Sequence, residues 1–203
     1  GLSLTLGGGE VTMADMAVAF GTFANAGVTV PLNPILKVET FNGAVLEEYR
    51  PDEISQYVSL LHENWSTFKN RAHPFVAEVG SAEVRVTLPE EVAYIISDVL
   101  ADNNARQDAF GPNSQLVIPG RTVSVKTGTT NDLRDNWTIG YTPDVLVATW
   151  VGNNDNSSMS YVASGVTGAS PIWNKIMRKL LADQKDHPPA IPDGVVSRSV
   201  CTV

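Results

Sequence analysis

Three runs between residues 121 and 152, "TVSVKTGT", "NWTIGYT" and "VLVATWV", alternate apolar and polar residues and are joined by only a few residues each. Alternation at a period of two marks a strand with one buried face. Parallel neighbours need a crossover of a dozen or more residues, and these connections are too short for one. The chain must therefore contain an antiparallel meander of at least three strands, the last two joined at Pro143-Asp144. In the first run Val123 and Val125 point one way and Ser124 and Lys126 the other, as in an edge-like, half-buried strand.

Helical signals surround the meander. Thr12 and Asp15 open a helix whose Met13, Met16, Ala17, Phe20 and Ala24 recur at helical spacing, with Gly27 as its stop. "ILKVETFNGAVLEEY" carries Asn42-Gly43 between two strand-like runs, a hairpin signal. From Pro51 to Val86 the pattern is weaker: Ile54, Tyr57, Val58 and Leu61 suit one short helix, and Pro74 breaks what precedes it. Thr87 and Glu90 read as a capping box, with Pro89 in the first turn of the helix in "TLPEEVAYIISDVLADNN". A loop rich in Asn, Gly and Pro then leads to the meander. Ser170-Pro171 opens a last helix expected to bury Ile172, Trp173, Ile176 and Leu180 across one face of the sheet. Its Lys175, Arg178 and Lys179 lie toward the negative C-terminal end. Residues 187–203 are Pro-rich and read as an extended exit segment. There are no internal repeats. The sum is α+β: an antiparallel sheet flanked by helices.

At 203 residues one domain is expected, and its 43% hydrophobic and 18% charged residues are an ordinary globular balance. A formal charge of -8 argues against nucleic acid as a partner. The apolar runs are too short to cross a bilayer. A single cysteine, Cys201, excludes an internal disulfide framework, and His62, His73 and His187 lack metal-ligand spacing, so no metal and no cofactor are expected. The sequence starts Gly-Leu-Ser with no initiator Met, so residue 1 is expected to be a cut in a longer protein or an expression scar.

The end of the first run carries the chemistry. Gly128 removes a side chain between two hydroxyls, so another molecule can approach the backbone. Lys126, Thr127 and Thr129 surround that bare spot with one positive charge and two hydroxyl donors, an array that suits a carboxylate. The plainer readings are a solvated strand-end lysine and two threonines chosen for β-propensity, but packing does not readily explain Gly128. Thr130, Asn131 and Asp132 are equally good turn chemistry, and Trp137, Tyr141 and Trp150 read as core. Asn-x-Ser/Thr triplets at Asn64, Asn136 and Asn156 would be glycan acceptors only in a eukaryotic secretory protein. Gly7, Gly8 and Gly9 lack the preceding strand and following Lys-Ser/Thr of a phosphate loop.

"LGGGEVTMADMAVAFGTFANAG", "KTGTTNDLRDNWTIGYTPD" and "SGVTGASPIW" together resemble the transpeptidase domain of class A penicillin-binding proteins, in that family's order. Lys-Thr-Gly is one of the three signature motifs of penicillin-binding proteins and class A β-lactamases. The resemblance implies the C-terminal portion of a penicillin-binding protein/β-lactamase-like transpeptidase fold over residues 1–186, with 51–86 as an insertion. It implies acyl transfer from the D-Ala-D-Ala end of a peptidoglycan stem peptide, β-lactam binding, and a place on the extracytoplasmic face of a bacterial cell membrane. Lys126 would supply electrostatic stabilisation, Thr127, Gly128 and Thr129 would bind substrate, and the Thr129 N–H would form half of an oxyanion hole. The family's Ser-x-x-Lys and Ser-x-Asn precede the "LGGGEVT" block, so the nucleophile is expected in the upstream half of the same domain. No Ser-x-Asn occurs here, and the one Ser-x-x-Lys, Ser66 to Lys69, follows that block and is soon broken by Pro74, which marks it as a decoy. A serine β-lactamase or DD-carboxypeptidase, and a non-catalytic β-lactam-sensing module, are the alternatives.

Overall fold

The structure, a computed structural model, describes residues 9–63, 76–79, 82–160 and 167–199. It is α+β. The order is α1 (Met13–Ala24), β1 (Val28–Thr29), β2 (Lys37–Glu39), β3 (Val45–Glu48), α2 (Pro51–Glu63), β4 (Val76–Val79), β5 (Ala82–Val86), α3 (Glu90–Ala101), α4 (Asn103–Phe110), β6 (Ser124–Thr129), β7 (Asp135–Tyr141), β8 (Leu146–Gly152) and α5 (Ala169–Leu180). A 3-10 turn, Asn131–Leu133, sits between β6 and β7.

The meander forms as expected: β6, β7 and β8 pair antiparallel in that order, with Lys126 opposite Ile139 and Trp137 opposite Trp150. Residues paired in this way share a face, so the register sorts the side chains. Val123, Val125, Gly140 and Val147 lie toward α5 and pack with Leu116, Ile118, Trp173, Met177 and Leu181. Ser124, Ile139 and Tyr141 lie toward α1 and α3, where the Tyr141 ring meets Phe20 edge-on and its hydroxyl shares a hydrogen bond with Ser97. Both faces of the sheet are therefore covered. That corrects the half-buried reading of β6: Ser124 is fully buried, its hydroxyl donating to the Ser97 carbonyl at 2.7 Å. A small polar residue satisfies a helix carbonyl there, which alternation alone registers as an outward position.

Helix α1 begins as its sequence dictates. The Thr12 hydroxyl oxygen accepts from the Asp15 N–H at 3.1 Å and donates to the Asp15 carboxylate at 2.7 Å. Gly27 follows the helix with φ +94°, and a Cβ there would stand 2.2 Å from the Leu88 carbonyl oxygen, so no larger residue fits. At the start of α3, Pro89 precedes the first turn, and the Thr87 hydroxyl shares a hydrogen bond with Thr29 at 2.6 Å, across the β1–β5 pair. The region read as a loop after α3 contains α4, capped by Asp102, whose carboxylate accepts from Asn104 N–H and Ala105 N–H.

Asn42-Gly43 closes the β2–β3 hairpin as expected. α2 forms around Ile54, Tyr57, Val58 and Leu61, which join Val28, Val84 and Val86 in a second cluster. β4 and β5 form a hairpin that the weak pattern of 51–86 does not announce, and β5 also pairs with β1.

On α5, Trp173 is buried as expected, but Ile172, Ile176 and Leu180 are exposed by 40% to 48%. The inward stripe is Ala169, Ser170, Trp173, Asn174 and Met177. Asn174 occupies a core position because its amide donates to the Gln115 and Val117 carbonyls, at 2.8 and 3.1 Å. A polar residue inside and apolar residues outside defeat a reading by hydrophobic spacing. After α5 the chain has no further helix or strand through residue 199. It is held by the Asp186 carboxylate, which accepts from the Thr122 N–H and hydroxyl, and by His187 against Asp144.

Candidate functional site

β6 is an edge strand, and the turn that follows it fixes which backbone groups are free. The Thr130 N–H donates to the Asp135 carbonyl at 3.0 Å, which makes that pair a hydrogen-bonded one. Antiparallel ladders alternate. Gly128 and Lys126 therefore spend their backbone groups on β7, while Thr127 and Thr129 turn theirs outward. No strand covers that edge among the described residues. The Lys126 ammonium reaches it as well, donating to the Thr127 carbonyl at 2.5 Å. Lys126 is exposed, and no ion pair engages it among the described residues.

The four residues do not share one face of the sheet. Thr127 and Thr129 share the α5 face through their partners Thr138 and Asn136, whereas Lys126 and Gly128 start from the opposite face. They converge at the edge: a lysine curled around it, an outward Thr129 N–H, and an exposed Thr129 hydroxyl. Gly128 is exposed, and a Cβ there would meet only the Trp137 Cβ at 3.9 Å, an ordinary contact. Packing does not demand glycine at this position. An edge with fixed donors and one charge can align an extended chain and hold an anion.

Behind the edge stands a residue that sequence reasoning passed over as an unused glycan triplet. Asn136 is 0% exposed, which removes it from any glycan acceptor role in the folded chain. Its Nδ2 donates to the Thr129 hydroxyl oxygen at 2.9 Å, and its Oδ1 accepts from the Ala169 N–H at the start of α5, at 2.7 Å. A polar residue at a strand position facing a helix was the available signal.

The turn residues have structural duties. The Thr130 hydroxyl oxygen accepts from the Arg134 and Asp135 N–H groups, at 3.2 and 2.8 Å. Asp132 and Leu133 adopt left-handed φ values of 64° and 56°. The following loop braces them: Arg134 donates to the Asn156 carbonyl, and Met159 N–H to the Leu133 carbonyl, each at 2.9 Å. The Asp135 carboxylate accepts from the Trp150 indole N–H at 2.9 Å. Trp137 and Trp150 are half-buried rather than core, and Tyr141 is core. Burial raises the Tyr141 phenol above its ordinary range, with hydrogen bonds to Ser97 and Ser124 opposing the shift. Ser66 to Lys69, Asn64, His73, Cys201 and Gly7 and Gly8 lie outside the described residues. Among the described residues no helix is long and apolar enough to cross a membrane.

The chain is similar to known proteins in sequence and in fold. The chain is 30% identical over 197 residues to penicillin-binding protein 1A of Neisseria meningitidis, covering 97% of this chain and 21% of that protein. It is 31% identical to penicillin-binding protein 1A of Pseudomonas aeruginosa, over 96% of this chain and 26% of that one. The chain thus spans about a fifth to a quarter of the length of the curated relatives it matches. Penicillin-binding protein 1A of Haemophilus influenzae shares the fold, with a TM-score of 0.70 at 21% identity, over 100% of this chain and 31% of that one. No family model matches. By sequence, the chain is a homologue of the penicillin-binding proteins 1A over nearly its whole length.

Proposed function

We propose that this homologue of the penicillin-binding proteins 1A forms one wall of a serine DD-transpeptidase site. The extended D-Ala-D-Ala end of a stem peptide, or a β-lactam, lies along the free edge of β6. Lys126 stabilises negative charge, the Thr127 and Thr129 hydroxyls hold the terminal carboxylate, and Gly128 lets the ligand approach. The Thr129 N–H is one half of the oxyanion hole. The nucleophilic serine and its lysine come from the upstream half of the same domain, on the extracytoplasmic face of the bacterial membrane. One observation carries this reading: the alternation set by Thr130 and Asp135 leaves the Thr129 N–H directed out of the sheet, beside its own exposed hydroxyl and Lys126.

The test is Lys126→Ala in the full-length parent protein, read with a fluorescent penicillin. A hydrogen bond to a charged group contributes about 1.5 to 3 kcal/mol, so acylation should slow by roughly 10- to 150-fold. An exposed lysine without a ligand contributes about 0 to 1 kcal/mol. Acylation within threefold of wild type would return Lys126 to that plain role.

A further inference from the structure

We propose that Asn136 is a positioning residue that locks the Thr129 hydroxyl as a hydrogen-bond donor toward the free edge of β6, tuning the site for an anionic carboxylate. This rests on the reading of Thr129 as a carboxylate ligand. A threonine hydroxyl carries one hydrogen and two lone pairs and rotates to suit its neighbours. Here its freedom is removed in two steps. The Ala169 N–H can only donate, and it lies 2.7 Å from one end of the Asn136 amide, so that end is the oxygen. The other end, Nδ2, must then face Thr129, where it donates at 2.9 Å. The hydroxyl has accepted, and its hydrogen is left for another acceptor.

The geometry gives this lock two further properties. Asn136 is fully buried on β7 and tied to the first residue of α5, so it cannot swing away when a ligand binds. Thr129 is exposed, so the outward hydrogen is available to a ligand. Accepting one hydrogen bond strengthens the next that a hydroxyl donates, and an anion is the acceptor that gains most. A ligand with an uncharged acceptor at this point makes only a weaker bond.

The experiment uses the full-length parent protein and the second-order rate of acylation by benzylpenicillin and by its methyl ester. Asn136→Asp keeps the side chain's shape and still accepts from Ala169 N–H. It cannot donate to Thr129 while ionised, and the start of α5 favours the charged form. The Thr129 hydroxyl then donates inward instead of outward. Asn136→Asp should slow acylation by benzylpenicillin about tenfold, the size of one hydrogen bond to an anion. It should add less than about twofold in a Thr129→Val background, where no hydroxyl remains to orient. The loss should be smaller with the methyl ester, whose carbonyl oxygen accepts only the weaker neutral hydrogen bond. Equal slowing in both backgrounds, or by both ligands, would mean Asn136 only holds the fold and overturns the proposal, as would a wild-type rate for Asn136→Asp. If Thr129→Val alone matches wild type, the carboxylate role of Thr129 falls, and this inference with it. A slow Thr129→Val beside a normal Asn136→Asp overturns the inference alone. Should Asn136→Asp not fold, Asn136→Ala frees the hydroxyl without reversing it. It should cost about threefold, again only where Thr129 is present.

Discussion

Two glycines of the meander look alike in sequence and differ in what holds them. At Gly140 an added Cβ would lie 2.4 Å from the Trp173 ring, so the indole can rest on the sheet only because no side chain stands there. Overpacking of a closed core costs about 1 to 3 kcal/mol, and Trp173 has no room to retreat among Val125, Val147 and Met177. Gly140→Ala should therefore lower the unfolding free energy, read from urea denaturation, by about 1 to 3 kcal/mol. Gly128→Ala meets nothing closer than 3.9 Å and should leave stability within about 0.5 kcal/mol of wild type. Its effect belongs to the ligand: in the parent protein, penicillin acylation should fall while the melting curve stays put. A large stability loss for Gly128→Ala would make that glycine structural after all. In the sequence the Lys126 to Thr129 quartet stands out as a candidate because its residue types are chemically specific. Asn136 and Gly140 do not, because each acts through a partner more than 30 positions away, Ala169 and Trp173.

At the level of elements, the alternation in β6, β7 and β8 identified the strands and their pairing, since short connections leave few alternatives. It sorted the side chains of β6 onto the right faces but missed that both faces are covered. Alternation assumes that polar means outward, yet Ser124 and Thr138 are buried, as are Ser170 and Asn174 on α5. Each of these resolves its polarity locally: Thr138 shares a hydrogen bond with Ser170 at 2.8 Å, and Ser124 and Asn174 donate to carbonyls. The Ser97–Ser124–Tyr141 contact between α3 and the sheet has a measurable consequence. The Tyr141 phenol is raised in the folded chain, first by burial, and against the two serine hydrogen bonds. In the unfolded chain a tyrosine ionises near pH ~10. The sign follows from linkage: the stabilisation is complete below that value and is lost as pH rises toward the higher folded value. Urea midpoints should hold steady below pH ~10 and fall above it. Tyr141→Phe should be less stable at neutral pH by roughly 0.5 to 1.5 kcal/mol, with a shallower alkaline decline. An unchanged alkaline slope would clear Tyr141 of that role.

For the whole molecule, the surfaces left open bear on what the chain can do alone. Val92, Ile95, Ile96 and Val99 recur at helical spacing on α3 and are exposed, as are Ile172, Ile176 and Leu180 on α5. The homologues run four to five times the length that this chain matches. Both facts suit a wall built to meet the remainder of a domain. Covalent acyl transfer needs a nucleophile activated by an adjacent base, and a wall of donors stabilises charge without forming an acyl-enzyme. This chain, purified alone, should therefore gain no mass on incubation with excess benzylpenicillin and release no product from a D-Ala-D-Ala peptide. Ser66 makes the test sharp, being the one serine in the sequence with a lysine three residues on. A stoichiometric penicilloyl adduct mapped to Ser66 would overturn both the division of the site and the reading of Ser66 to Lys69 as a decoy. No adduct here, with labelling of the full-length parent at a serine before Gly1, would place the nucleophile across the edge from Lys126 and Thr129.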